Sequence, residues 1–245
     1  MRVLAIGAHP DDIENFCAGT LIRYADAGHS VTIAIATQGD IGAPEGSREE
    51  IARTRHAEAQ AACESIGAEL IWMGFEDEFL FNDRPTRLAF IDAIRQARPD
   101  VMLILSENDY HPDHRTTGTL ARDARIPASV PLIETAYPHT PIPTTFVMDT
   151  YLGRNFDPHG YVDITDVMDR KLAMLEKHVS QDRWMRSVFD ADMSADMRTL
   201  ARMRGHQAGV VYAEGFQLLS DPPYTGGWEL LPPFGDGTTE EEGAR

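Results

Sequence analysis

From Val3 to Ala8 the chain runs Val-Leu-Ala-Ile-Gly-Ala without a polar side chain, the length and composition of a strand buried on both faces. His29–Thr37, Leu70–Met73 and Val101–Leu105 read as further short strands. Between them lie stretches of helical character. Ala18–Ala27 stops at Gly28, Ser47–Ile66 stops at Gly67, and Pro85–Ala97 lies beyond the loop Asp77–Asp83. The second of these opens with Ser47-Arg48-Glu49-Glu50, the spacing of a capping box. Strand and helix in alternation, joined by right-handed crossovers, predict an α/β chain: a mostly parallel sheet with helices on both faces.

Past Thr116 the pattern loosens. Ile126–Pro143 holds five prolines and reads as an irregular connection. Thr145–Leu152, Tyr161–Ile164 and Glu214–Leu219 read as strands, and Asp166–His178 and Asp182–Arg204 as helices, the methionines of the second being core filler. Residues 1–234 read as one domain. Residues 235–245 are acidic, lack apolar periodicity and read as a mobile tail.

Charge narrows the partners. The 245 residues carry 22 Lys+Arg against 39 Asp+Glu, a formal −17, which argues against nucleic acid and against docking on an anionic membrane. Cys17 and Cys63 form no disulfide framework and lack CxxC spacing. The opening MRVLAIGAHPDD has one basic residue and too short an apolar run for a secretory signal, and no run of about 18 apolar residues follows. A soluble, cytoplasmic protein is expected, with a homo-oligomer left open.

In an open parallel sheet, ligands gather beyond the carboxyl ends of the strands, where the strand order reverses. His9-Pro10-Asp11-Asp12 follows the first strand and His111-Pro112-Asp113-His114 the fourth. Either motif alone could be a capped turn. Together, at such ends, they point to a metal site. Two His and one carboxylate, with positions left open, suit Zn²⁺ and equally Fe²⁺. Of two adjacent aspartates, one should ligate while its neighbour stands free to take a proton.

The string Ala8-His9-Pro10-Asp11-Asp12-Ile13-Glu14, followed by Gly19-Thr20-Leu21, resembles the opening of the PIG-L / LmbE-like family of metal-dependent N-deacetylases, and His111-Pro112-Asp113-His114-Arg115 resembles its second motif. Weaker matches are Thr37-Gln38-Gly39-Asp40, Arg55-x-x-Glu58 with Gly67, His178-Val179-Ser180-Gln181 and Tyr212-Ala213-Glu214-Gly215-Phe216. The resemblance covers about residues 1 to 220. It implies a Rossmann-like three-layer fold and removal of the acetyl group from an N-acetylglucosamine-type sugar or glycoside, a small-molecule amino-sugar substrate. It also implies that His9, Asp12 and His114 hold the metal, usually zinc, with Asp11 as general base. His111 would be a protonated partner for the oxyanion or the departing amine, Asp113 would orient its ring, and Arg55 and Asp77 would contact the sugar or its aglycone. The chemistry agrees: a metal makes hydroxide available near neutral pH, and the amine leaves only when protonated.

Other readings stand beside these. Glu14 could replace Asp12 as ligand, His111 could be a capping histidine, and Arg55 could pair with Glu58 on a solvated helix face. Cys17 reads as a buried thiol, and His178 with Ser180 as structural, there being no G-x-S-x-G elbow. His139, His159 and His206 show no partner, while Tyr137, His139, Arg154 and Asn155 are candidate pocket contacts. The competing functions are an amidase acting on another amide, such as a thiol conjugate, and a non-catalytic sugar- or nucleotide-binding module. The second is disfavoured because no G-x-G-x-x-G follows the first strand.

Overall fold

Strand β1 (Arg2–Gly7) sits between β2 (Ser30–Thr37) and β4 (Val101–Ile104), parallel to both. β3 (Glu69–Phe75) extends the sheet beyond β2, and β5 (Thr144–Met148) beyond β4. β7 (Ala213–Leu218) then runs antiparallel between β5 and the edge strand β6 (Gly160–Asp163), giving the order β3-β2-β1-β4-β5-β7-β6. The structure is a computed structural model and describes residues 1–232. The expected tail, 235–245, lies outside the described residues.

Alternation along β1 explains its unbroken apolar run. Val3 and Ala5 face one core with Leu21 and Ile22 of α2 (Ala18–Asp26), while Leu4 and Ile6 face another with Phe90 and Ile94 of α4 (Arg84–Ala97) and Leu120 of α5 (Pro112–Ala128). The result is the three-layer Rossmann-like arrangement expected. In α3 (Arg48–Glu64) the capping box forms: the Glu50 amide donates to Ser47 Oγ at 3.3 Å, and the Ser47 amide to Glu50 Oε2 at 3.1 Å.

The second half departs from expectation in three places. The helix α5 runs on to Ala128: Pro127 removes one amide donor, but as the penultimate helical residue it has no further turn to distort. Its Gly118 lies against β4's exit, where a Cβ would stand 2.5 Å from the Leu105 carbonyl oxygen. The strand expected to reach Leu152 ends at Met148, and Tyr151–Gly153 forms a 3-10 turn. The long helix expected over Asp182–Arg204 is two, α7 (Val179–Phe189) and α8 (Met193–Ala208), which follow α6 (Met168–Leu175). Asp190 turns left-handed (φ 52°) and Asp192 caps α8 by accepting from the Ala195 amide at 3.0 Å. Met193 and Met197 are buried core residues, as expected, whereas Met203 is 38% exposed and Met185 lines the cleft.

The proline-rich connection is irregular beyond Ala128, and one side chain organises it. The buried Arg95 guanidinium donates to the carbonyls of Ala128 (3.1 Å), Val130 (2.8 Å) and Ile133 (2.7 Å).

Candidate active site

β1 leads on to β2 on one side and β4 to β5 on the other, so a crevice opens between their carboxyl ends. Both His-Pro-Asp motifs enter it. After β1 the chain turns through His9 and Pro10 into α1 (Asp12–Phe16), with Asp11 at the N-cap in a conformation rare for a residue with a side chain, φ 127°. Three contacts hold that turn. Asp12 Oδ2 accepts from the amides of Ala8 and His9, both at 2.8 Å, and Arg55 Nη2 donates to the Pro10 carbonyl at 2.8 Å. Gly39 (φ 59°) makes room for Arg55: a Cβ there would meet its guanidinium at 2.3 Å.

With Oδ2 engaged in its own turn, Asp12 presents Oδ1 to His114 Nε2 at 3.1 Å. That same nitrogen lies 3.2 Å from His9 Nδ1, which is 3.8 Å from Asp12 Oδ2. Zinc bonds of about 2.0–2.2 Å would place neighbouring ligand atoms at about this spacing, and the donors are those a divalent transition metal accepts. The residues therefore fit the group. The outer nitrogens are backed by carboxylates. His9 Nε2 lies 3.0 Å from Asp77 Oδ1 and 3.4 Å from Asp113 Oδ2, and His114 Nδ1 lies 3.1 Å from Asp109 Oδ1. His9–Asp77–Asp113 and His9–His111–His114 also bring ligand atoms within 4.8 Å. The His9–Asp12–His114 set is preferred because carboxylates behind the imidazoles are the support that metal-binding histidines use.

Electrostatics separates the two adjacent aspartates. His114 and His9 hold Asp12 well below the usual carboxylate range in spite of its burial. Burial pushes Asp11 up to about 6, with the Arg55 guanidinium pulling the other way. Burial opposes charge on the histidines too, yet Asp113, Asp12 and Asp77 hold His9 well above its ordinary value, and Asp12 with Asp109 carries His114 to about 9.

His111 differs from expectation. Its Nδ1 accepts from the Asp113 amide at 3.2 Å, capping α5, so that nitrogen carries no proton. Its Nε2 lies 3.0 Å from Glu78 Oε1. Burial and the neighbouring His9 and His114 lower its pKa. The backbone amide on Nδ1 and the lowered pKa both favour the neutral ring with Nε2–H as donor, where an imidazolium was expected. Asp113 meets it through the backbone alone. Its carboxylate turns to His9 and accepts from the Glu78 amide at 2.8 Å.

Arg55 and Asp77 border the cleft, with Asp77 Oδ1 turned to His9. Arg55 donates to Pro10 and Gly39, stands 3.6 Å from Asp11, and is buried rather than solvated beside Glu58. Glu58 instead accepts from the Ser180 amide and hydroxyl at 2.8 and 2.6 Å, which removes Ser180 as a nucleophile. Glu14 points to His178 at 3.3 Å, away from the triad. Cys17 and Cys63 are buried thiols, Cys63 pushed up to about 12. Of the candidate pocket contacts, Arg154 lines the cleft, whereas Tyr137, His139 and Asn155 are exposed and, like His159 and His206, absent from its lining. Sequence reasoning missed Asp109, Glu78, Tyr110 and Tyr151. Asp109, five residues before His114, left the one usable signal, a carboxylate just upstream of the second motif.

A doubly wound α/β sheet that gathers histidines and carboxylates able to hold a metal ion at its switch point defines a class of α/β proteins with a polar site beyond the strand ends. Residues 4–125 match the PIG-L family, described as GlcNAc-PI de-N-acetylase. Over 234 residues the chain is 31% identical to the diacetylchitobiose deacetylase of Thermococcus kodakarensis, covering 89% of this chain and 83% of that one. The solved N,N'-diacetylchitobiose deacetylase of Pyrococcus horikoshii is similar at TM-score 0.77 and 28% identity, over 89% of this chain and 83% of that one. The 4-carboxy-2-hydroxymuconate hydratase of Pseudomonas putida matches at TM-score 0.78 and 24% identity, over 90% and 97%, a likeness of fold alone. The chain belongs to the PIG-L family of deacetylases. No helix among the described residues is long and apolar enough to cross a membrane.

Proposed function

We propose that this protein is a metal-dependent hydrolase that removes the acetyl group from an N-acetylglucosamine-type sugar or glycoside, with zinc as the metal. The observation that carries the reading is the convergence of His9 Nδ1, Asp12 Oδ1 and His114 Nε2 beside a second buried carboxylate, Asp11, that is free of the ligand set. The similarity to a diacetylchitobiose deacetylase supports the substrate class.

A divalent transition metal held there supplies acidified water and a positive charge against the amide oxygen. The remaining chemistry falls to the chain. Asp11, kept out of the ligand set by Asp12 and steadied by Arg55, is the proton acceptor, and its raised pKa suits it to return the proton to the departing amine. His111 offers Nε2–H as a neutral hydrogen-bond donor where negative charge develops on oxygen. Asp77, Asp113 and Asp109 orient His9 and His114.

Acetate release from N-acetylglucosamine glycosides by protein loaded with zinc, and its loss on chelation, tests the reading. No acetate from any N-acetylated amino sugar, with turnover of an unsaturated polycarboxylate instead, would overturn it.

A further inference from the structure

Helix α7 turns its apolar side toward the cleft, with Met185 also packing against the core. Gln181, Trp184, Met185 and Phe189 recur at i, i+3, i+4 and i+8, one helical face, and all four line the cleft that holds His9 and Asp11. No residue of α7 is fully buried. Its opposite side carries Arg186, paired with Asp182 at 2.9 Å and Asp192 at 3.0 Å. Ile41 and Leu152 continue the same lining and are 39% and 43% exposed, and Phe189 is 61% exposed. Trp184 and Phe189 stand edge to face at 5.9 Å. The Ser180–Glu58 hydrogen bonds tie the start of α7 to α3, so the wall is fixed in place.

An apolar stripe facing an open cleft of about 680 Å³ is surface that a ligand can cover. We propose that the α7 wall binds the aglycone of the substrate, and that this aglycone is a hydrophobic alkyl or aryl group on the anomeric carbon of the amino sugar. The inference rests on the deacetylase reading above. On that reading the acyl group is acetyl, which has no chain to lay along a helix, so the group carried by the sugar must reach the wall. A second sugar ring is the competing occupant, since Trp184 and Phe189 offer π-faces, but Ile41, Leu152 and Met185 beside them bring no partners for its hydroxyls, so the disaccharide is an arm of the test.

The test uses the full-length, metal-loaded protein and four probes: the methyl and hexyl glycosides of N-acetylglucosamine, N,N'-diacetylchitobiose, and the methyl glycoside of N-hexanoylglucosamine. Carboxylate release is followed for each. The hexyl glycoside should exceed the methyl glycoside in kcat/KM by about tenfold or more, chiefly through KM, since covering two methylenes corresponds to that much. Phe189→Ser, at an exposed position, and Trp184→Ala should each bring the hexyl-to-methyl ratio toward one. A ratio near one in the parent protein overturns the inference and leaves the deacetylase reading standing. The same holds if the disaccharide matches the hexyl glycoside, or if the N-hexanoyl sugar is preferred. No carboxylate from any probe overturns both.

Discussion

Arg55 Nη2 stands 3.6 Å from Asp11 Oδ1, both side chains being buried beneath the turn that follows β1. The arginine opposes the effect of burial, which alone would drive the aspartate still further toward its neutral form. A base must be ionised. With Asp11 at about 6, its ionised fraction falls as pH drops through that value, and a bound cation draws the limb lower. Arg55→Gln should therefore move the acid limb of kcat/KM to higher pH. An unmoved limb would uncouple the two residues. Asp11→Asn should keep the metal and lower kcat by about 10²–10⁴-fold.

Metal uptake should release protons. Asp12 and Asp109 hold His114 protonated up to about pH 9, and His9 is raised as well, whereas a ligating imidazole must be neutral. Affinity should thus rise with pH from 6 to 9, read by titration calorimetry in buffers of different ionisation enthalpy. Asp109→Asn should weaken binding by about 10–100-fold with the fold intact. His114→Ala should lose the metal and the activity together.

A neutral donor role for His111 has a signature of its own. His111→Gln keeps an N–H donor near the same place, while His111→Ala removes it. The glutamine variant should retain measurably more turnover than the alanine variant, which should fall by about 10²–10³-fold. Equal losses would point back to an acid role that only a protonatable ring can fill.

Behind the site, Lys171 Nζ donates to Glu214 Oε1 at 2.6 Å and to the Asn15 carbonyl at 2.9 Å, while Glu214 also accepts from the Gly19 and Thr20 amides at 2.9 and 2.7 Å. Both side chains are buried. Removing one partner strands a charge, so Glu214→Ala should cost about 3–5 kcal/mol in chemical denaturation, and Lys171→Met with Glu214→Leu should recover part of it.

Much of this was legible in the chain. The four strands that build the switch point, the capping box of α3 and both His-Pro-Asp motifs are local signals, carried by residues adjacent in sequence. What escaped reading depends on distant partners. Arg95 orders a segment more than thirty residues away, and Asp77 reaches His9 only because β3 and β1 flank β2 in one sheet. The break between α7 and α8 turns on Asp190 taking a left-handed conformation that aspartate adopts without any strong pattern around it. His111 caps α5 through a single backbone amide, the alternative its His-Pro-Asp context offered from the start.

The φ of 127° at Asp11 carries a consequence for anyone selecting this protein for robustness. A side chain held there stores about 1–3 kcal/mol that glycine would not. Asp11→Gly should abolish turnover without a matching gain in stability, because relief of the strain is set against the buried Arg55 cation left without its carboxylate. Strain, counter-ion and proton acceptor occupy the same residue. Robustness and catalysis have to be sought at separate positions in this chain.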